Sequence, residues 1–211
     1  ECANKLWDAS KPGYDKQLVD DGLMSLYAVP WPPQGIYMKD EVSSGADFQG
    51  VKFRAYNSST ARLAELLGAV PATISSSEIS QAFSSGVISG MITSPTTGVD
   101  SQAWDFVKNY YDVKAFIPKN FVIVNKDSFD ALSKKSQKAL MEASTIAEIR
   151  GWEMAIKATN DATKVLSDNG MTVFETPAQL SKDFATVGAT MLEEWKVSAG
   201  DDAATIIDAM K

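Results

Sequence analysis

Only three arginines occur in the 211 residues, Arg54, Arg62 and Arg150, and the first of them stands apart by its setting. Arg54 lies in the alternating run Val51-Lys52-Phe53-Arg54-Ala55-Tyr56, which leads at once into Asn57-Ser58-Ser59-Thr60. In open α/β sheets, ligands bind where the carboxyl end of a strand passes into the N-terminus of a helix. Helix N-termini favour anions, and a guanidinium adds a planar two-donor fork that matches a carboxylate. Arg54 is therefore a candidate carboxylate clamp, with a surface or interlobe ion pair as the plainer alternative. Thr93-Ser94-Pro95-Thr96-Thr97-Gly98 also follows an apolar run and offers hydroxyl and backbone donors, or simply a polar turn. Lys119-Asn120, behind Pro118, reads on its own as a solvated turn.

A stiff passage, Pro30-Trp31-Pro32-Pro33-Gln34, precedes these groups. Proline fixes φ, removes a donor and pushes the preceding residue toward extended geometry, so this segment is neither helix nor central strand. It holds Trp31 and Gln34 in defined directions, as a pocket wall or as a rigid turn between two elements.

The remaining composition excludes more than it supplies. A net charge of −7 argues against nucleic acid or an anionic membrane as partner. No apolar run reaches the roughly 18 residues that a membrane helix needs. With no histidine and a single cysteine, Cys2, the usual zinc sites and any histidine-based triad are excluded. No cofactor or metal is expected, since nucleophile elbow, P-loop and dinucleotide fingerprint are all missing. Asp100, Asp105 and Asp112 read as a solvated face.

The elements that must position these residues follow from periodicity. Leu23–Val29 and Val51–Tyr56 read as strands, and Asn57-Ser58-Ser59-Thr60 caps a helix that Gly68 closes. Val70–Ile74 is a short strand, Ser75-x-x-Glu78 has capping-box spacing for a helix ending at Gly86, and Val87–Ile92 is a further strand. This β-α-β-α-β order predicts parallel strands. A helix is expected around Gln102–Tyr110 and a strand at Phe121–Val124. From Ser133 to Asn169 no proline occurs, and Leu140, Ala143, Ala147, Gly151, Met154, Ala158, Ala162 and Val165 recur on one helical face. The segment is one helix of roughly 55 Å, or two broken near Gly151. Met171–Phe174 reads as a short strand, and two amphipathic helices end the chain.

Together the run VKFRAYNSSTARLAELLGAVPATISSSEISQAFSSGVISGMITSPTTGVD, the turn Asp47-Phe48-Gln49-Gly50 and the long helix resemble the solute-binding proteins of tripartite ATP-independent periplasmic (TRAP) transporters. The resemblance spans essentially the whole chain, without the upstream portion such proteins carry. It implies an α/β periplasmic-binding fold of two lobes with a hinge cleft and a helix running through both. Residues 1–33 and 120–155 are expected in an incomplete lobe one, and 34–119 and 156–211 in lobe two. It implies a monomeric, non-catalytic, periplasmic receptor, processed from a signal peptide, that delivers a small organic-acid anion to TRAP permease subunits. Arg54 falls on the family's selectivity arginine and Asn57 on an amide that contacts ligand. Thr93 and Ser94, Asn120 with Lys119, and Trp31 fall on or beside further wall positions. Gln34 stands where sugar-acid binders have arginine, which argues against a sialic-acid-type ligand. Trp31, Pro32 and Pro33 suggest a flatter, more apolar wall that suits a small 2-oxo, 2-hydroxy or aromatic monocarboxylate. An importer of the ATP-driven class, an α/β enzyme acting on small carboxylates and an interaction module are the rival readings.

Overall fold

The expected strands form, but the sheet they build is mixed. The computed structural model describes residues 2–210; Glu1 and Lys211, at the outer ends of the two expected lobes, lie outside it. In chain order the elements are α1 (Cys2–Asp20), β1 (Leu23–Pro30), β2 (Gly35–Met38), β3 (Lys52–Ala55), α2 (Ser58–Leu66), β4 (Val70–Thr73), α3 (Ile79–Ser84), β5 (Gly90–Thr93), α4 (Pro95–Asp100), β6 (Asn109–Tyr111), β7 (Lys119–Asn125), α5 (Lys126–Asp130), α6 (Lys134–Asp168), β8 (Thr172–Phe174), α7 (Ala178–Ala199) and α8 (Asp201–Met210).

Two compact units divide the chain: Glu1–Trp31, Lys119–Ala155 and Glu193–Lys211 form one, Pro32–Pro118 and Ile156–Leu192 the other. The chain passes between them four times, at Trp31/Pro32, at Pro118/Lys119, within α6 at Ala155/Ile156 and within α7 at Leu192/Glu193. The last segment, Glu193–Lys211, groups with the first unit, whereas the sequence reading put 156–211 in lobe two. The reason is α1, whose Lys5 donates to the carbonyl of Met210 at the end of α8.

The second unit holds a six-stranded sheet in the order β4-β3-β5-β2-β6-β8. β3 runs parallel to β4 and β5, as the β-α-β order requires. β2 enters from the proline passage instead of a crossover helix, so it pairs antiparallel with β5 and with β6. The period-2 alternation of strands puts Ile36, Met38, Phe53, Ile92 and Tyr111 on one face, packed with Leu63 and Leu67 from the α2 segment and with Leu180 of α7. Tyr37, Met91 and Tyr110 take the other face against Ile79 and Phe83 of α3 and Leu166 of α6.

Gln102–Tyr110 is not an α-helix. Ser94 caps the chain and Pro95 occupies the first turn, so the helix starts early as α4 and ends at Asp100. Gln102 is left-handed, with φ 52°, and only a short 3-10 turn, Ala103–Asp105, follows it. Asn109–Tyr111 then enters the sheet as β6, with both tyrosines buried on opposite faces. The apolar run from Val87 likewise becomes strand only from Gly90.

In the first unit β1 and β7 pair antiparallel as a two-stranded ribbon. α6 is one unbroken helix of 35 residues. Gly151 does not interrupt it; a Cβ there would lie 2.2 Å from Val29 Cγ1, so glycine permits close approach to β1. Most of the expected face is turned inward, Gly151 and the buried Ala162 among it, with differences at single positions. Met154 is 55% exposed, whereas Ser144 is buried and Glu148 accepts from Trp7 Nε1 and the Ala28 amide, each at 3.1 Å. Trp152 Nε1 donates to the Ala28 carbonyl at 3.1 Å. The N-terminal helix α1, with Pro12 inside it, had no counterpart in the sequence reading. No helix among the described residues is long and apolar enough to cross a membrane.

Candidate ligand-binding site

Arg54 is 3% exposed and carries no carboxylate partner in the structure of the described residues. It stands opposite Met91 in the ladder, on the Tyr37–Tyr110 face near the carboxyl end of β3. Its Nε donates to the Ile74 carbonyl at 2.9 Å, which fixes the plane of the fork. Nη1 is buried without a hydrogen-bond partner. Burial lowers the guanidinium's pKa from its ordinary value, partly offset by the neighbouring Tyr56. A buried cationic donor with nothing to bond is costly, which keeps Arg54 the candidate anion clamp.

Tyr56 was not singled out in the sequence, although it lies two residues on and therefore on the same side of the strand. Its ring centre is 5.4 Å from the Arg54 guanidinium carbon, and its hydroxyl donates to Gln34 Oε1 at 3.2 Å. Burial pushes its pKa up to about 12. Gln34 is buried, with Nε2 donating to the Pro32 carbonyl at 3.0 Å. Its backbone is tied on both sides, Gln34 N to Phe116 O at 2.9 Å and Ala115 N to Gln34 O at 3.0 Å. The proline passage thus delivers a carboxamide in a fixed orientation. Arg54, Tyr56 and Gln34 form one connected polar wall.

The other expected residues of the second unit take more structural roles. Asn57 caps α2, its Oδ1 accepting from Thr60 N at 2.8 Å and from Thr60 Oγ1 at 2.9 Å. Only its Nδ2 is left for a ligand. Thr93 is buried at the end of β5, paired with Gly35. Ser94 caps α4: its Oγ accepts from Thr97 N at 3.1 Å, and its carbonyl accepts from Tyr37 Oη at 3.1 Å. Ser94 Oγ also lies 2.8 Å from Thr96 Oγ1 and 3.0 Å from Thr97 Oγ1, so these hydroxyls satisfy one another.

In the first unit, Pro30 pairs with Lys119 and Val29 with Asn120, so Trp31, Lys119 and Asn120 gather at one end of the ribbon. Trp31 is 39% exposed. Lys119 Nζ sits 5.5 Å from the centre of the Trp7 ring, and partial burial lowers its pKa.

An apolar groove of about 580 Å³ lies in the second unit between α2, residues 113–116 and α7, walled by Leu63, Phe116, Phe184 and Met191. These residues belong to the core on the sheet face opposite Arg54, and none carries an unpartnered buried polar atom. Among the described residues no group of acidic, histidine or cysteine side chains is placed to hold a metal.

Comparison with known proteins defines the class. Residues 35–197 match the family model of bacterial extracellular solute-binding protein, family 7 (DctP), and the chain belongs to that family. It is an extracytoplasmic solute receptor of the TRAP type, with the two-unit α/β fold of periplasmic binding proteins; the members of the family are receptors, not enzymes. Among solved structures, 99% of the chain superposes on 69% of DctP7, a Bordetella pertussis receptor binding pyroglutamic acid, at 48% identity and a TM-score of 0.96. DctP6 of the same organism, which also binds pyroglutamic acid, shares 40% identity over 99% of this chain and 69% of its own, at a TM-score of 0.96. A marine metagenome TRAP solute-binding protein specific for pyroglutamate shares 39% identity over 100% of this chain and 69% of its own, at a TM-score of 0.94. Among curated proteins none matches.

Proposed function

We propose that the receptor captures pyroglutamate, or a cyclic monocarboxylate like it, and hands it to TRAP permease subunits as a monomer. The observation that carries this is the buried, unpartnered Nη1 of Arg54, beside a neutral wall made by Tyr56 and Gln34. One fixed guanidinium suits one carboxylate, and a fixed carboxamide suits a ligand with neutral polar atoms elsewhere. The similarity to three receptors of pyroglutamate, each at 39% identity or more, supports that ligand over the wider class of 2-oxo, 2-hydroxy and aromatic monocarboxylates. Asn57 Nδ2 and the region of Thr93 and Ser94 complete the wall in the second unit. Trp31, Lys119 and Asn120 remain candidate contacts from the sequence, each to be tested by its own alanine variant.

The deciding experiment is a thermal-shift and calorimetric titration of the intact receptor with pyroglutamate, acyclic glutamate and a panel of 2-oxo and aromatic monocarboxylates. At a hundred times the dissociation constant, bound ligand stabilises the native state by about 2.7 kcal/mol. Pyroglutamate gives that shift in wild type and none in Arg54→Ala, which still melts cooperatively. A shift that survives in Arg54→Ala removes the arginine from the site. A wild-type response to another acid, with none to pyroglutamate, replaces the ligand.

A further inference from the structure

We infer that Tyr110 is a specificity-determining residue of this receptor, its hydroxyl bonding the neutral lactam group of the ligand whose carboxylate Arg54 holds. The inference rests on the pyroglutamate reading above. Among the described residues four buried side-chain polar atoms lack a partner, and the second unit holds two of them: Arg54 Nη1 and Tyr110 Oη. Both residues lie on the same sheet face, linked rung by rung through Met91 and Tyr37.

Three tyrosines on this sheet are buried at 0–1% exposure, and their hydroxyls are treated differently. Tyr37 donates to the Ser94 carbonyl, and Tyr111 accepts from the Val42 amide. Tyr110, with its ring centre 4.7 Å from that of Tyr37, finds neither. Its ring leans along the sheet toward the start of β2, where a Cβ on Gly35 would lie 2.4 Å from Tyr110 Cε2 and 2.5 Å from its hydroxyl oxygen. The hydroxyl therefore ends beside Gly35. Gln34 precedes that glycine in the chain, and Thr93 faces it across the ladder. Phenylalanine would fill the same space without burying an idle hydroxyl, whose desolvation works against folding. A phenol kept in such a place has its donor and lone pairs free for a ligand. Burial raises its pKa, so it stays protonated, with a proton to give to a carbonyl oxygen and lone pairs to accept from an N–H.

The test compares wild type and Tyr110→Phe in the intact receptor, by calorimetry with pyroglutamate and with cyclopentanecarboxylate, which keeps the ring and the acid but lacks the lactam. Loss of one neutral hydrogen bond raises the pyroglutamate dissociation constant by about tenfold. The cyclopentanecarboxylate constant stays unchanged, and the ligand-free variant melts at or above wild type. Equal pyroglutamate affinity overturns the inference. So does an equal loss for both acids, which marks a packing role, or a ligand-free melt well below wild type, which shows the hydroxyl already engaged. Failure of wild type to bind pyroglutamate overturns the underlying reading instead.

Discussion

The Arg54 guanidinium lies against the face of Tyr56, 5.4 Å from the ring centre, while the hydroxyl of that tyrosine reaches on to Gln34. Charge, aromatic face and carboxamide are thereby held as one piece, and each can be changed separately.

Arg54→Lys keeps the charge and loses the fork and the Nε bond to Ile74. A lysine is a point donor on a flexible stem, so its carboxylate is held without a defined plane. Titration calorimetry should show affinity falling at least about tenfold, the scale of one charge-assisted hydrogen bond. Undiminished affinity would show that the cation alone suffices.

Asn57 separates capping from binding. Asn57→Ala removes the acceptor for Thr60 and should lower stability by about 1 kcal/mol in denaturant melts. Asn57→Asp keeps an oxygen acceptor and places a negative charge at the helix N-terminus, where it is tolerated. The same charge repels an incoming carboxylate, so stability holds while affinity drops. Parallel loss of both would give Asn57 no role beyond the cap.

Alkaline titration reads Tyr56 directly. Its folded pKa of about 12 is raised from the ordinary value of about 10, so the native state keeps a proton that the unfolded chain releases. Its contribution to stability is complete below pH 10 and is lost as pH climbs toward 12. Phenolate absorbance of the folded receptor should contain a component near pH 12 that Tyr56→Phe deletes. If the variant's titration superimposes on wild type, the ring is not buried as described.

Two helical glycines should answer alanine in opposite ways. Gly188 in α7 has open space around its missing side chain, so Gly188→Ala gains roughly 0.5–1 kcal/mol from helix propensity. Gly151→Ala gains the same locally but drives a methyl into Val29, and overpacking costs about 1–3 kcal/mol. Melting temperatures of the two variants should therefore move apart.

Much of this was legible in the chain itself. The β3–α2 junction announces itself through alternation and an asparagine cap, and the long helix through a proline-free seam of small residues. Gly151 was ambiguous because a glycine that breaks a helix and one that lets it touch a strand look alike in sequence. The segment after Ser94 misled because Asn109-Tyr110-Tyr111 is too short to show a strand period, and its state is decided by pairing with β2 and β8. The direction of β2 was equally hidden: nothing local states whether a strand entered from a proline passage runs with or against its neighbour. Tyr56 could have been found by counting two residues from Arg54. The unpaired hydroxyl of Tyr110 could not, since which tyrosine lacks a partner is known only once every partner is placed.

Gly35 makes room for Tyr110, and Gly98 does the same for Tyr37, whose hydroxyl would lie 2.1 Å from a Cβ at that position. Each glycine is the mould of one ring. Such pairs cannot be revised one member at a time. A lineage that puts a side chain at position 35 must already have surrendered the large ring at 110, and the order of the two changes is fixed by the clash. Across related receptors these positions should therefore drift in couples, and a receptor that breaks the 35–110 couple should be found serving a different acid.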